Sequence, residues 1–208
     1  MNIAILGGAN LAQALGKLGQ SAGHQVIFGV RDPQKVVAET DFSAVAMDAA
    51  LTSADIVIIA IPYRVCDDVL PPLADMLKGK IVIDATNPLN EDYSPILLGD
   101  KSSAGEEIAR VLPGARVVKA FNMVFADIMS PKGRMRGDER ASVMVAGDDE
   151  TARRAVVHLV RAFGFQPEDA GPLKFARYME AMAHLNIQLA FGMGGGSDAA
   201  FIYHRRSA

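Results

Sequence analysis

The sequence contains a single cysteine, Cys66, among its 208 residues. One thiol excludes an internal disulfide framework. Because no histidine lies near it in sequence, we interpret Cys66 as a helix-packing residue rather than a nucleophile. The four histidines are scattered and none belongs to an H-x-x-x-H pair, so no metal site is predicted. The sequence also lacks the G-x-S-x-G motif of serine hydrolases and the G-K-S/T end of a P-loop.

Excess charge and long hydrophobic runs are missing as well. The formal net charge of -3 does not indicate a basic surface for binding nucleic acid or an anionic membrane. The densest apolar run, Ile56 to Pro62, is far too short to span a bilayer. The chain enters a strand at once, without the charged and apolar regions of a signal peptide. We therefore expect a cytoplasmic protein with one main domain and no nucleic-acid or membrane partner.

The first 32 residues read as strand, tight turn, helix and strand. An apolar run from Asn2 to Leu6 ends at glycine, apolar residues then recur at helical spacing, and Gly23 is expected to end the helix. The two strands of such a βαβ unit lie parallel. The turn leaves the first backbone amides of the helix unpaired, and these amides favour an anion such as phosphate.

The turn partly matches the dinucleotide fingerprint G-x-G-x-x-G/A. The pattern positions are Gly7, Ala9 and Ala12; alanine is allowed at the last, whereas Ala9 places a methyl group where the pattern has none. A plain turn is the alternative interpretation, but the position between a strand and a helix favours a diphosphate site. The residues predicted to hold the diphosphate are Gly7, Gly8, Ala9, Asn10 and Leu11.

The end of the second strand indicates which dinucleotide is bound. NAD sites place an acidic residue there for the ribose 2′-hydroxyl, whereas NADP sites use arginine for the 2′-phosphate. This sequence has Val30 and Arg31 at that point, with Lys35 one turn further on. A guanidinium pairs with phosphate through two parallel hydrogen bonds, so we favour NADP. Alternatively, Arg31 is an exposed loop charge, and Asp32-Pro33 are the N-cap and first position of a helix.

Apolar runs and helical segments alternate along the rest of the chain. This pattern predicts an α/β fold, a doubly wound parallel Rossmann sheet of order 3-2-1-4-5-6 within residues 1–171. Asp48 is expected to cap a short helix, and Pro71-Pro72 to interrupt a longer one. The further strands are predicted at residues 44–47, 55–61, 80–85, 116–120, 141–148 and 166–169.

Ligands of such a sheet bind at the carboxyl ends of the strands, where we expect three loops to converge. These loops contain Ala60-Ile61-Pro62, Asn87-Pro88 and Asn122. The two asparagines are candidates for binding the nicotinamide ribose or carboxamide; turn chemistry explains them equally well, since Asn-Pro commonly starts a turn. Asp84 and Lys119, near the ends of neighbouring strands, are expected to form a buried pair that is structural rather than catalytic.

The chain has helical propensity from Leu173 to about Phe191 but is apolar on nearly every side there. A helix of this kind is either central to a large protein or covered by a partner, and little else in this chain is left to cover it. We expect residues 172–208 to form a C-terminal helix and tail that mediate homodimerisation and cover the acceptor side of the site.

No group of acid–base residues stands out near the converging loops, as fits a hydride transfer. A nicotinamide carries its own reactive carbon, so the protein need only hold donor and acceptor face to face and exclude water. We therefore assign no catalytic residue. The densest cationic stretch contains Lys132, Arg134, Arg136 and Arg140. It is by default a solvated loop and, as an alternative, a clamp for an anionic acceptor tail.

Seven short motifs follow one another along nearly the whole chain. They are Leu6-Gly7-Gly8-Ala9-Asn10-Leu11-Ala12, Gly29-Val30-Arg31-Asp32-Pro33, Ala60-Ile61-Pro62-Tyr63, Asp84-Ala85-Thr86-Asn87-Pro88, Val118-Lys119-Ala120-Phe121-Asn122, Ala146-Gly147-Asp148-Asp149 and Asp169-Ala170-Gly171-Pro172-Leu173. The set resembles the NADP oxidoreductases that depend on the deazaflavin coenzyme F420. The same fold resembles the NADPH domain of six-transmembrane ferric reductases. The resemblance implies a dimeric Rossmann protein that passes a hydride between NADP(H) and a deazaflavin, with the 2′-phosphate held by Arg31 and Lys35.

Two residues depart from the family pattern. Val30 stands where serine or threonine is common, and Met123 replaces a frequent threonine beside Asn122. The acceptor is left open between coenzyme F420, another flavin-like compound and a ferric chelate. Two other functions remain as alternatives, namely an NADPH-dependent reductase of a small imine or carbonyl substrate and a dinucleotide-sensing module without turnover.

Overall fold

Strands and helices alternate along the chain as the hydrophobic pattern predicts. The computed structural model describes residues 1–98 and 101–205, except for the side chain of Glu39; residues 206–208 of the predicted C-terminal unit lie outside the described residues. The strands are β1 (Asn2–Leu6), β2 (Gln25–Gly29), β3 (Ala44–Val45), β4 (Ile56–Ile59), β5 (Ile81–Asp84), β6 (Arg116–Lys119), β7 (Met135–Arg136), β8 (Glu139–Arg140), β9 (Ser142–Gly147) and β10 (Gln166–Gly171). The α-helices are α1 (Asn10–Ser21), α2 (Pro33–Glu39), α3 (Met47–Leu51), α4 (Cys66–Val69), α5 (Ala74–Leu77), α6 (Ala104–Val111), α7 (Glu150–Ala162) and α8 (Ala176–Ile187).

One eight-stranded sheet has the order β10-β9-β6-β5-β4-β1-β2-β3. Strands β1 to β6 are parallel and have the predicted order 3-2-1-4-5-6. Two strands beyond the six of the predicted order extend the sheet, and the first of them, β9, runs antiparallel to β6 with Val118 opposite Gly147. The connection from β6 to β9 contains only a 3₁₀ turn and the β7–β8 hairpin, and a parallel neighbour needs a crossover helix. β10 is again parallel to β9, because α7 supplies that crossover.

The central strands divide their side chains between two buried faces. In β1, Ile3 and Ile5 pack with Leu15 of α1 in one core cluster, whereas Ala4 and Leu6 pack in the other, beneath α3 to α6. All four residues of β4 are buried, as expected for a strand covered on both faces. Because helices cover both faces, the carboxyl edge of the sheet is left as the surface where ligands can enter.

The predicted N-cap is found in α2 but not in α3. Asp32 caps α2 as predicted, since its Oδ1 accepts a hydrogen bond from the backbone N–H of Lys35 at 3.2 Å. The prediction that Asp48 caps α3 is wrong, because the cap is Ala46 and Asp48 already lies in the first turn. β3 pairs with β2 through only two residues, so the chain is free to become helical earlier than its pattern predicts.

The C-terminal helix is shorter than the apolar segment that predicts it. A 3₁₀ turn, Leu173–Phe175, precedes α8, and a π-helical turn, Gln188–Gly192, follows it. After the glycine-rich joint the tail returns to the sheet, where the backbone N–H of Ser142 donates to the carbonyl oxygen of Phe201 at 2.8 Å. Within the part of the chain that the structure describes, no helix has the length and hydrophobicity needed to cross a membrane.

Candidate functional site: a dinucleotide cleft and an adjoining cavity

The turn between β1 and α1 brings two strand ends into close contact. Gly7 has a φ of +126°, and a Cβ atom there would lie 2.4 Å from the carbonyl oxygen of Ala60. Only glycine fits both the angle and the contact. At Gly8 a Cβ atom would lie 2.9 Å from Cγ2 of Val36, so the turn is also close-packed towards α2. The two glycines therefore let the turn pack against the end of β4 and against α2, and both of them line the cleft described below.

α1 begins directly after the turn, and no side chain caps its first amides. Its N-cap is Ala9, and no acidic residue lies in its first turn. The first N–H groups of a helix lack partners within it and attract an anion. Ala9 has an extended backbone with φ of -80°, so the methyl group departs from the fingerprint without straining the turn. Gln13 donates to the carbonyl oxygen of Gly8 at 2.9 Å and holds the turn against the helix.

A cleft of about 440 Å³ opens above the turn. The predicted residues that line it are Gly7, Gly8, Ala9, Asn10, Val30, Arg31, Lys35, Ala60, Ile61 and Pro62. Asp32, predicted as a helix cap and not as a binding residue, lines it as well, and sequence reasoning missed Gln13, Val36 and Met47, which also line it. Gln13 lies one helical turn after Asn10 on α1, and that spacing is the signal that would have found it.

Two exposed cations stand at the open end of this cleft. Arg31 and Lys35 both line it, and neither has an ion-pair partner within residues 1–98 and 101–205. Val30 is only 7% exposed and packs in the core, with Cγ1 3.5 Å from the Cβ position of Gly8. Val30 thus supports the turn by packing, while the two cations are free to meet a phosphate group.

A second cavity, of about 310 Å³, adjoins the cleft and will be called the acceptor cavity. Asn10 lines both spaces, at the N-terminus of α1. The other predicted residues that line the acceptor cavity are Leu11, Asn87 and Asn122. Its far wall is aromatic and was not foreseen: the Phe191 ring centroid lies 5.7 Å from that of Phe125 and 6.3 Å from that of Tyr93.

The two predicted asparagines bond to each other across neighbouring loops. Asn87 Nδ2 donates to the backbone carbonyl of Asn122 at 2.7 Å, and Asn122 Nδ2 donates to Asn87 Oδ1 at 3.0 Å. Asn122 Nδ2 also lies 3.2 Å from the carbonyl oxygen of Met179 on α8. The residue before it, Phe121, has a φ of +64°, a strained conformation for an aromatic residue. Turn chemistry alone does not explain this arrangement, which ties the loops after β5 and β6 to α8.

Pro88 is the predicted residue that lines neither of these spaces. Its carbonyl oxygen accepts a hydrogen bond from the backbone N–H of Ile96 at 2.8 Å and closes the loop after β5. The His184 imidazole is hydrogen-bonded to the backbone of Pro88 as well; burial lowers the pKa of His184, and that hydrogen bond only partly opposes the effect. Pro88 therefore shapes the loop that carries Asn87.

A buried ion cluster joins β5, β6 and α8. Lys119 Nζ is 2.8 Å from Asp84 Oδ2, as predicted, and also 2.8 Å from Glu180 Oε1, which was not predicted. Glu180 in turn accepts hydrogen bonds from the backbone amides of Ala104 and Gly105, at 2.9 and 3.1 Å, at the start of α6. Burial alone lowers the pKa of Lys119, but the two carboxylates outweigh it and the pKa is raised. The cluster is fully paired and buried, which suits a structural role.

Cys66 has the properties of a packing thiol. It is 2% exposed, its Sγ lies 3.7 Å from the carbonyl oxygen of Pro62, and burial, followed by the charge of Asp84, raises its pKa to about 12. A thiol with that pKa is almost wholly protonated at neutral pH and is not a nucleophile. Across the described ranges, no group of three or more histidine, cysteine, aspartate and glutamate side chains is placed to hold a metal ion.

Comparison with known proteins gives three related findings. Residues 2–88 match the model of the family described as NADP oxidoreductase, coenzyme F420-dependent. The F420-dependent NADP reductase of Methanothermobacter marburgensis is 32% identical over 211 residues, covering 91% of this chain and 92% of that protein. A crystal structure from Arthrobacter sp. FB24, assigned as an F420-dependent NADP reductase, is 29% identical, has a TM-score of 0.87, and covers 99% of this chain and 100% of that one.

Metalloreductases are similar to the chain as well. The rat metalloreductase STEAP3 is 31% identical over 186 residues, which are 86% of this chain but only 36% of that protein. The chain thus spans about a third of the metalloreductase and nearly the whole length of the archaeal reductases. With the glycine turn after β1, the mostly parallel sheet and the identity over nearly the whole length taken together, the chain belongs to the family of F420-dependent NADP reductases.

Proposed function

We propose that this protein passes a hydride between NADPH and a flat redox acceptor, with coenzyme F420 as the acceptor that its family membership favours. One observation carries the proposal: a cleft built for a phosphorylated dinucleotide meets an aromatic-walled cavity at Asn10. NADPH supplies the hydride when it is bound. The chain's own residues bind the hydride donor and acceptor, orient them and exclude water from them, and no side chain needs to move a proton.

Each predicted binding residue has a place in this proposal. The amides that follow Gly7 and Gly8 at the start of α1 bind the diphosphate, and Arg31 and Lys35 bind the 2′-phosphate through charge-assisted hydrogen bonds. Ala60, Ile61 and Pro62 form the wall along the sugar. The remaining predicted residues, Leu11, Asn87 and Asn122, border the nicotinamide end, and Pro88 sets the loop that carries Asn87.

The reaction is tested by following NADPH oxidation with a panel of acceptors. We expect oxidation with coenzyme F420 or with a flavin, and none with ketones or cyclic imines. Oxidation with ketones or imines alone would replace this proposal by that of a small-substrate reductase. Tight NADPH binding with no acceptor that accelerates oxidation would replace it by that of a dinucleotide sensor.

We further propose that the segment from residue 172 onward joins two copies of the chain and covers the acceptor cavity. The outward face of α8 is apolar, with Tyr178 66% exposed and Leu185 54% exposed, and Leu189 beyond the helix is 50% exposed. These residues recur at spacings of seven and four, so they form one stripe. Covering such a stripe with a second copy removes it from water. Because NADPH is a cytoplasmic coenzyme, we place the proposed reaction in the cytoplasm.

A further inference from the structure

A third cavity, of about 490 Å³, lies between α1 and the segment that follows β6, and it will be called the α1 groove. It shares Asn10, Ala126 and Asp127 with the acceptor cavity. The two cavities therefore adjoin at these three residues. The α1 groove also shares Asn10 and Gln13 with the dinucleotide cleft, whereas Lys17 and Arg134 line neither the cleft nor the acceptor cavity.

One wall of the groove is a single face of α1. Asn10, Gln13, Ala14 and Lys17 lie at helical spacings of three, four and seven residues and all line the groove. Lys17 is exposed and has no ion-pair partner within the two described ranges. Its ammonium group is free to meet an anion that enters the groove.

The opposite wall carries Arg134, whose guanidinium is held in place without a carboxylate. Arg134 Nη1 donates to the carbonyl oxygen of Met129 at 2.9 Å, and the guanidinium lies 5.7 Å from the centroid of the Phe165 ring. Its Nε lies 2.9 Å from the Cβ position of Gly164, so this glycine leaves room for it. Burial and the nearby charge of Arg140 lower the pKa of Arg134. A bound anion would offset both effects.

Between the aromatic wall and these two cations, the lining is polar. Asp127 stands at the junction of the two cavities and accepts a hydrogen bond from Ser197 Oγ. Asn10 and Ser130 add further hydrogen-bonding groups to the groove. Together the two cavities therefore offer aromatic rings, hydrogen-bonding groups at their junction, and two cations that have no ion-pair partner in the described residues. These are the groups that suit a compound in which a hydroxylated chain joins a flat ring to a phosphate.

We propose that the α1 groove binds the anionic end of the acceptor, with Lys17 and Arg134 contacting a phosphate that a hydroxylated chain links to a tricyclic ring. This rests on the proposed function, because it places the ring of the hydride acceptor in the acceptor cavity. Of the cations predicted as a clamp, Arg134 alone lines the groove. Arg136 pairs with Asp198 at 2.7 Å, and Arg140 lines a different cavity beside the C-terminal tail.

The test compares ligands that differ only in the phosphate-bearing end. Coenzyme F420 is compared with the ribityl deazaflavin that lacks the phosphate and its extension, and flavin mononucleotide with riboflavin, by fluorescence titration in the presence of NADP⁺. We expect the phosphate-bearing member of at least one pair to bind about 10- to 100-fold more tightly, the range of one or two charge-assisted contacts. Lys17→Gln and Arg134→Gln should each reduce that ratio without changing the affinity of the phosphate-free ring.

Lys132→Gln is the matched control, because Lys132 is exposed on the same segment but does not line the groove. It should leave the ratio unchanged. Lys17→Gln guards against a folding artefact, because Lys17 is exposed, whereas Arg134 is partly buried and hydrogen-bonded to the carbonyl oxygen of Met129. Equal affinities within both pairs, a ratio that survives both substitutions, or no binding of any of the four ligands would overturn the proposal.

Turnover measured separately distinguishes this proposal from the proposed function. If the phosphate-bearing ligands bind preferentially but NADPH is never oxidised, the groove assignment stands and hydride transfer fails. If NADPH is oxidised equally well by phosphate-bearing and phosphate-free rings, with equal affinities, hydride transfer stands and the groove assignment fails.

Discussion

Glu180 of α8 lies 2.8 Å from the ammonium group of Lys119 at the end of β6, and both side chains are buried. This contact joins the C-terminal helix to the strand whose exit loop carries Asn122. The same carboxylate accepts hydrogen bonds from the first backbone amides of α6, and the first of these, at Ala104, lies 76 residues away in sequence. One side chain thus ties α8 to β6 and to the start of α6.

We predict that Glu180→Ala destabilises the protein by about 3 to 5 kcal/mol, the range for removing one partner of a buried ion pair. The substitution leaves the buried charge of Lys119 with one carboxylate fewer and the α6 amides without an acceptor. Urea unfolding followed by circular dichroism measures the change in the free energy of unfolding.

Asp75→Asn is the control for this prediction. Asp75 lies 2.7 Å from Lys78 at the surface, where an ion pair contributes little, so the unfolding midpoint should not move. If Glu180→Ala is as harmless as Asp75→Asn, the buried cluster does not support the site in the way described.

A second link between α6 and α8 should make the free energy of unfolding depend on pH. Arg177 donates to both carboxylate oxygens of Glu106, at 2.8 and 2.6 Å. Burial alone raises the pKa of Glu106, but the hydrogen bonds from Arg177 and Ser103 outweigh it and hold the pKa below its ordinary 4.5. A depressed folded-state pKa contributes stability above the unfolded value, and this contribution is lost as the pH falls through the folded value.

Glu106→Gln should therefore lower the free energy of unfolding by about 0.5 to 1 kcal/mol at pH 7. The effect is small because the ion pair is partly exposed to solvent. The difference from the unaltered protein should shrink as the pH falls below about 4.5, where Glu106 becomes protonated in the unfolded chain. Denaturant unfolding across this pH range measures it. A difference that stays constant down to pH 3 would argue against the assigned cause.

The exposed stripe on α8 leads to a prediction about assembly. Leu185→Glu places a charge in the middle of the stripe and should convert a dimer into a monomer, as measured by light scattering. Val37→Glu is the matched control, because Val37 is also 54% exposed but lies on α2. The control should stay dimeric. A monomeric mass for the unaltered protein, or dissociation by both substitutions alike, would reject the proposed interface.

The parts of the fold that local sequence determines were predictable. The glycine turn after β1, the cap at Asp32 and the buried strands follow from residues within one turn or one strand of each other. Strand order also followed, since alternating strands and helices permit few arrangements. The direction of β9 was not predicted. It is antiparallel to β6 because the segment between these two strands contains no crossover helix.

The parts that depend on distant contacts were not predictable. Glu180 looked like an ordinary polar residue in an apolar helix, and its partner Lys119 lies far away in sequence. The aromatic wall of the acceptor cavity brings together Tyr93, Phe125 and Phe191, which share no periodic pattern. Val30 occupies the expected position but is buried, so its role is decided by packing against the turn.

Calorimetric titration of NADPH and NADH into the unaltered protein and Arg31→Ala tests the central claim most directly, with Arg154→Ala on α7 as the control. The unaltered protein and the control should bind NADPH more tightly than NADH. Arg31→Ala should weaken the binding of NADPH about 10- to 100-fold, because a charge-assisted contact is lost, and should leave the affinity for NADH nearly unchanged. Equal losses for the two nucleotides would contradict the 2′-phosphate assignment, and no heat with either would contradict the cofactor site itself.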